Sequence, residues 1–117
     1  MGDVRAARFY GVLRWLEQVS DPVLLALDDL HWADPDSLAL LSFVCRRLVG
    51  LPVAVLGTLR PWPPGAQELA GALVYDGHAR LHRLAPLSED AAATLLAARS
   101  AGPVAGAAAR ALTALCG

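Results

Sequence analysis

Asp28 and Asp29 stand side by side directly after the apolar run "VLLAL", and Thr58 and Arg60 stand at the end of a second run, "VAVLG". Two carboxylates, a hydroxyl and a guanidinium can hold a magnesium ion, a water molecule and a phosphate, because magnesium takes one or two carboxylates and completes its shell with water and substrate oxygens. Phosphoryl transfer needs little beyond such charges placed in advance around the reacting group. The four residues can act together only if the two apolar runs end at the same place, so the elements that carry them decide the matter.

Each run reads as a buried strand. "VLLAL" follows Asp21-Pro22, and the residue before a proline is pushed out of the helical region, which ends the preceding element there. Neither run alternates, and a strand apolar on both faces is expected to be covered on both faces. Between them Asp34-Pro35-Asp36 supplies a capping residue, a proline at the first helical position and an acid in the first turn. Leu38, Leu41, Cys45 and Leu48 then carry a helix, Arg46 and Arg47 suit its negative end, and Gly50 with Pro52 stops it. Strand, helix and strand over this length make a βαβ unit, which crosses over right-handed and pairs its strands in parallel. Ligands bind at the carboxyl ends of parallel strands, and Asp28, Asp29, Thr58 and Arg60 all fall at those ends.

The flanking segments complete an α/β core followed by helices. From Asp3 to Ser20, Phe9, Val12, Leu13, Leu16 and Val19 recur at helical spacing, with Arg14, Glu17 and Gln18 on another side. "RPWPPGAQ" reads as a rigid surface loop, Gln67–Val74 as a short helix, and "ARLHRL", residues 79–84, as a third strand. Ser88 caps a helix through Arg99, Gly102-Pro103 makes a turn, and an Ala-rich helix runs to Leu115. The expected division is an α/β core over residues 1–86 and a helical segment over residues 87–117.

Bulk properties remove several classes of function. The 117 residues suffice for one domain with a core. A formal net charge of −1 gives no field that draws in nucleic acid or anionic lipid, so direct nucleic-acid binding and membrane binding are not expected. All ten basic residues are arginine, and Lys, Ile and Asn are absent, which is simplest to explain by GC-rich, bacterial codon usage. Cys45 and Cys116 have no partner at metal-ligand spacing, and no secretory leader is evident, so the chain reads as reduced, soluble and cytoplasmic. "LVGLPVAVLGTL" is too short to span a bilayer and is broken by Pro52.

"LLALDDLHWAD" followed by "VLGTLRP" resembles the Walker B segment and sensor strand of the signal-transduction ATPases with numerous domains, which are AAA-like P-loop NTPases. The likeness is greatest to the large ATP-binding transcriptional regulators of the LuxR family, and "LHRLAPLSEDAAATLL" is similar to the start of their helical lid. The resemblance runs from about Pro22 to the end of the chain. It implies a partial P-loop NTPase sheet of about three parallel strands, with ATP and magnesium as cofactors of the intact parent domain. It places Asp28 as the magnesium-holding acid, Asp29 as the acid that orients or deprotonates the attacking water, Arg60 as the sensor of the terminal phosphate, and Thr58 beside it as a nucleotide contact. His31 and Trp32 match the loop after Walker B, packing or lining the crevice.

The departures from that pattern matter as much. A P-loop requires G-x-x-x-x-G-K-S/T, and this chain has neither the spacing nor any lysine. Arginine is a poor substitute, since its planar fork does not mimic a compact ammonium in the phosphate cradle. The resemblance therefore implies the Walker B and sensor side of a switch domain, with both ends of the family pattern cut short and no hydrolysis by the chain alone. In the family's sheet order the P-loop strand lies beside the sensor strand, so a gap beside "VAVLGT" is expected, with an open edge available for self-association. The alternative reading, from a different class, is a non-catalytic protein-interaction module that keeps the ATPase scaffold without nucleotide. The remaining candidates have simpler roles: Trp15 and Trp62 as packing or loop residues, Arg5, Arg8 and Arg14 as a solvated helix face, and His78 with His82 on an extended segment unsuited to zinc.

Overall fold

The computed structural model describes residues 2–100 and 106–116, in two compact units that divide between Leu81 and His82. The first unit contains α1 (Gly2–Glu17), β1 (Val23–Leu27), a 3-10 turn (Leu30–Trp32), α2 (Pro35–Cys45), β2 (Val53–Gly57) and α3 (Pro64–Tyr75). The second contains α4 (Glu89–Arg99) and α5 (Gly106–Cys116), which pack against each other. The Gly102-Pro103 turn expected between them lies outside the described residues.

The βαβ unit forms as its sequence dictates. Asp34 accepts from the Ser37 amide at 3.0 Å and from the Ser37 hydroxyl at 2.5 Å, which satisfies an orphan donor of the first turn of α2, and Pro35 takes the next position. Gly50 adopts φ 82° in the turn that returns the chain to the sheet, a left-handed conformation that a side chain would oppose. β1 and β2 are parallel and pair Val23 with Val53 through Leu27 with Gly57. The last pair in that register is Leu27 with Gly57, so the next residues to emerge from the two strands are Asp28 and Thr58.

The core of this unit is built by Leu13 and Leu16 of α1, Val44 of α2, and Ala66 and Leu73 of α3. The α1 stripe is as its spacing predicts, with Leu13 and Leu16 buried, Phe9, Val12 and Val19 half-buried, and Arg14, Glu17 and Gln18 exposed. Trp15 is 61% exposed and packs little. At the far end of α2, Arg46 pairs with Asp76 after α3, and the Arg47 guanidinium lies 3.8 Å from the centroid of Phe43. Val53 and Val55 of β2 face a cavity of about 380 Å³ shared with Leu41 and Cys45 of α2 and with Leu69 and Leu73 of α3.

Three expectations are corrected. The sheet has two strands among the described residues, not about three, because "ARLHRL" has no regular secondary structure. Its pattern suits a strand, but a strand exists only where a neighbour accepts and donates ladder hydrogen bonds, and no such pairing forms among the described residues. The two strands are covered on one face only: Leu24 is 61% and Leu56 is 59% exposed, since α2 and α3 pack on the side of Val53 and Val55. Finally, "RPWPPGAQ" is not wholly loop, for α3 starts at Pro64 rather than Gln67. Proline at the first helical position gives up only an amide that would lack an intrahelical partner anyway.

Ser88 caps α4 as expected, its hydroxyl accepting from the Ala91 amide at 3.2 Å, with Glu89 and Asp90 in the first turn. Ala92 is the buried residue of that helix. No helix among the described residues is long and apolar enough to cross a membrane.

Candidate functional site

The strand register places Asp28 and Thr58 side by side, and short-range hydrogen bonds lock them. The Thr58 hydroxyl donates to Asp28 Oδ1. The Asp29 amide donates to the same carboxylate oxygen at 3.1 Å and to Thr58 Oγ1 at 2.9 Å. Backbone bonds continue the pairing past the strands, with the Thr58 amide donating to Leu27 O at 3.0 Å and the Leu30 amide to Thr58 O at 2.9 Å. One hydroxyl and one carboxylate oxygen thus close the two strand ends into a single tip.

Asp29 turns the chain at this tip with φ 56° and ψ 45°. The left-handed region is open to aspartate more readily than to most side chains, so the turn is sustainable without glycine. Glycine is used on the other strand: a Cβ at Gly57 would lie 2.5 Å from Leu30 Cδ1, so its absence lets the turn after Asp29 close over the end of β2. The 3-10 turn that follows packs on α3.

The donor set suits a hard cation with water and phosphate oxygens. Asp28 Oδ1 is engaged by Thr58 and the Asp29 amide, which leaves Oδ2 without a protein partner among the described residues, and neither Asp28 nor Asp29 has an ion-pair partner there. Both acids are exposed. A carboxylate held by one oxygen and open at the other is a suitable ligand for magnesium or for a magnesium-bound water. No group of three or more His, Cys, Asp or Glu side chains that could hold a metal without substrate is present among the described residues.

Arg60 is brought to the tip by its backbone. Its amide donates to Nδ1 of His31 at 3.2 Å, while its guanidinium is exposed and makes no ion pair with Asp28 or Asp29. Of the four expected site residues, Asp28, Asp29 and Thr58 are therefore joined directly, and Arg60 is joined through a fifth, His31. Spacing alone could not reveal that residue's part, because a histidine following two acids carries no sign of burial. Its neighbour Trp32 is 75% exposed and Trp62 is 76% exposed, so neither enters the core.

Asp34 and Asp36 behave as helix-start residues. The Ser37 hydroxyl, and then its amide, hold the Asp34 carboxyl below the usual aspartate range. Asp36 pairs with Arg5 of α1 at 3.2 Å. Cys45 is a free thiol whose burial pushes its pKa up, as for a structural cysteine. Comparison of the chain with protein-family models, with curated proteins and with solved structures gave no match.

Proposed function

We propose that this chain supplies the magnesium-holding, water-positioning and sensor side of an ATP-binding switch domain of the signal-transduction ATPase type, as in the large LuxR-family regulators. The observation that carries the reading is the bonded tip of Asp28 and Thr58 at the carboxyl ends of adjacent parallel strands, with Asp29 and Arg60 following them. This is the position at which open α/β sheets bind ligands. In this reading Asp28 holds magnesium or its water through Oδ2, and the ion when bound neutralises charge on the phosphates. Asp29, turned outward by its left-handed backbone, orients the attacking water. Thr58 fixes the rotamer of Asp28 by occupying Oδ1. Arg60 reaches the terminal phosphate from the neighbouring loop.

The phosphate cradle must come from outside these 117 residues, since they contain no P-loop lysine. The unpaired, strand-patterned segment at residues 79–84 fits the same account: in the family's sheet order one strand separates it from β2.

A second reading, the non-catalytic interaction module, is favoured by a separate observation, the apolar sheet face bearing Leu24 and Leu56. The Asp28→Asn substitution separates the two. Under the nucleotide reading it abolishes magnesium-dependent effects of ATP in calorimetric titration. Under the interaction reading partner binding is unchanged and ATP has no effect on either protein.

A further inference from the structure

His31 is the one buried polar side chain among the described residues, at 7% exposure, and the proposed nucleotide site leaves its chemistry unused. Burying an imidazole is unfavourable unless its nitrogens find partners. Nδ1 has one in the Arg60 amide at 3.2 Å. A backbone amide can only donate, so Nδ1 carries the lone pair and the proton resides on Nε2. The ring is steadied on one side by Trp32, 5.0 Å away between centroids, and its turn is anchored on α3 and through the Leu30 amide on Thr58 O.

Besides the packing of half-buried Leu59 into the cavity beside α2 and α3, the loop that carries Arg60 has few backbone donors with which to attach itself. It continues as Pro61-Trp62-Pro63-Pro64, in which three of four residues have no amide proton. After the Leu30–Thr58 bond, the Arg60 amide is the next described backbone donor that ties this loop to the turn holding the acids.

We propose that His31, as the neutral Nε2–H tautomer, is a positioning residue that latches the Arg60 backbone to the Asp28–Asp29 turn and thereby limits where the guanidinium can reach. The proposal rests on the nucleotide reading for its purpose, but the latch itself is testable without nucleotide. Asparagine can present its Oδ1 near the place of Nδ1, whereas leucine fills the space and accepts nothing.

Amide hydrogen exchange by NMR on the full chain compares wild type, His31→Asn and His31→Leu. The Arg60 amide exchanges slowly in the first two and roughly tenfold faster in the third, the factor expected for one lost hydrogen bond, while amides of the β1–β2 ladder keep their rates. Equal Arg60 exchange in all three, or acceleration of the strand amides by the same factor in His31→Leu, overturns the latch. Should His31→Leu not fold, the 15N resonances of wild-type His31 decide: a bare Nδ1 with a protonated Nε2 supports it, and a proton on Nδ1 overturns it.

The connection to function is read from manganese-ATP affinity in a double-mutant cycle. His31→Leu weakens binding severalfold in the wild-type background and has no further effect on Arg60→Ala; additive losses overturn action through Arg60. If Arg60→Ala leaves the affinity unchanged, the nucleotide reading fails at that residue, and the exchange comparison alone decides the latch.

Discussion

Thr58 has a role at the strand tip that its position beside Arg60 did not disclose. Its hydroxyl proton is committed to Asp28 Oδ1 and a lone pair to the Asp29 amide, so it organises the acids at the tip. Thr58→Val keeps the shape and removes both interactions. The expected outcome is a loss of about 1 kcal/mol in urea unfolding, with Thr58→Ser close to wild type. Asp34 gives a second prediction at this scale. Its carboxyl is depressed by the Ser37 hydroxyl and amide, so the stabilisation it provides is fully present above its ordinary value near 3.8 and is lost as pH falls through the depressed value. Asn caps a helix without titrating in this range. Asp34→Asn should therefore flatten the acid limb of helix loss followed by far-ultraviolet circular dichroism, and an unchanged limb would refute the assignment.

At the scale of elements, α1, β1, α2, β2 and α4 were legible because each is specified locally. The stripe from Phe9 to Val19, the Asp34-Pro35 start and the Ser88 cap need no distant partner to be recognised. The parallel pairing was legible too, since the helix between the strands forces a crossover. Residues 79–84 carry a strand pattern and form no strand for the opposite reason: alternation states what a strand would bury, but pairing requires another backbone, and that is not a local property. The start of α3 is not evident in the sequence because a proline cluster reads as a breaker, although one proline at the first helical position is compatible with a helix. In the site, the meeting of Asp28, Asp29 and Thr58 at adjacent strand ends is legible in types and spacing, while the link through His31 is not, because burial and a ring nitrogen facing an amide arise only in the folded chain.

For the whole molecule, the bare sheet face is the main liability. Two strands of five residues present a face of roughly 17 Å by 10 Å, far short of the roughly 800 Å² per partner that a stable interface buries. Its Leu24 and Leu56 should therefore drive weak, concentration-dependent association and leave the isolated chain only marginally stable, with no defined dimer. Leu24→Thr with Leu56→Thr, which keeps strand-compatible residues on the ladder, should reduce that association in sedimentation velocity. A monomeric wild type with a cooperative, high-temperature melt would contradict it. The central claim, that the tip of β1 and β2 receives a magnesium nucleotide, is tested most directly with manganese-ATP as a paramagnetic probe in the NMR spectrum of the full chain. Broadening centred on the amides of Asp28, Asp29, Thr58 and Arg60 is expected at millimolar nucleotide, and it is absent in Asp28→Asn. Broadening elsewhere on the chain, or the same broadening in Asp28→Asn, would contradict it.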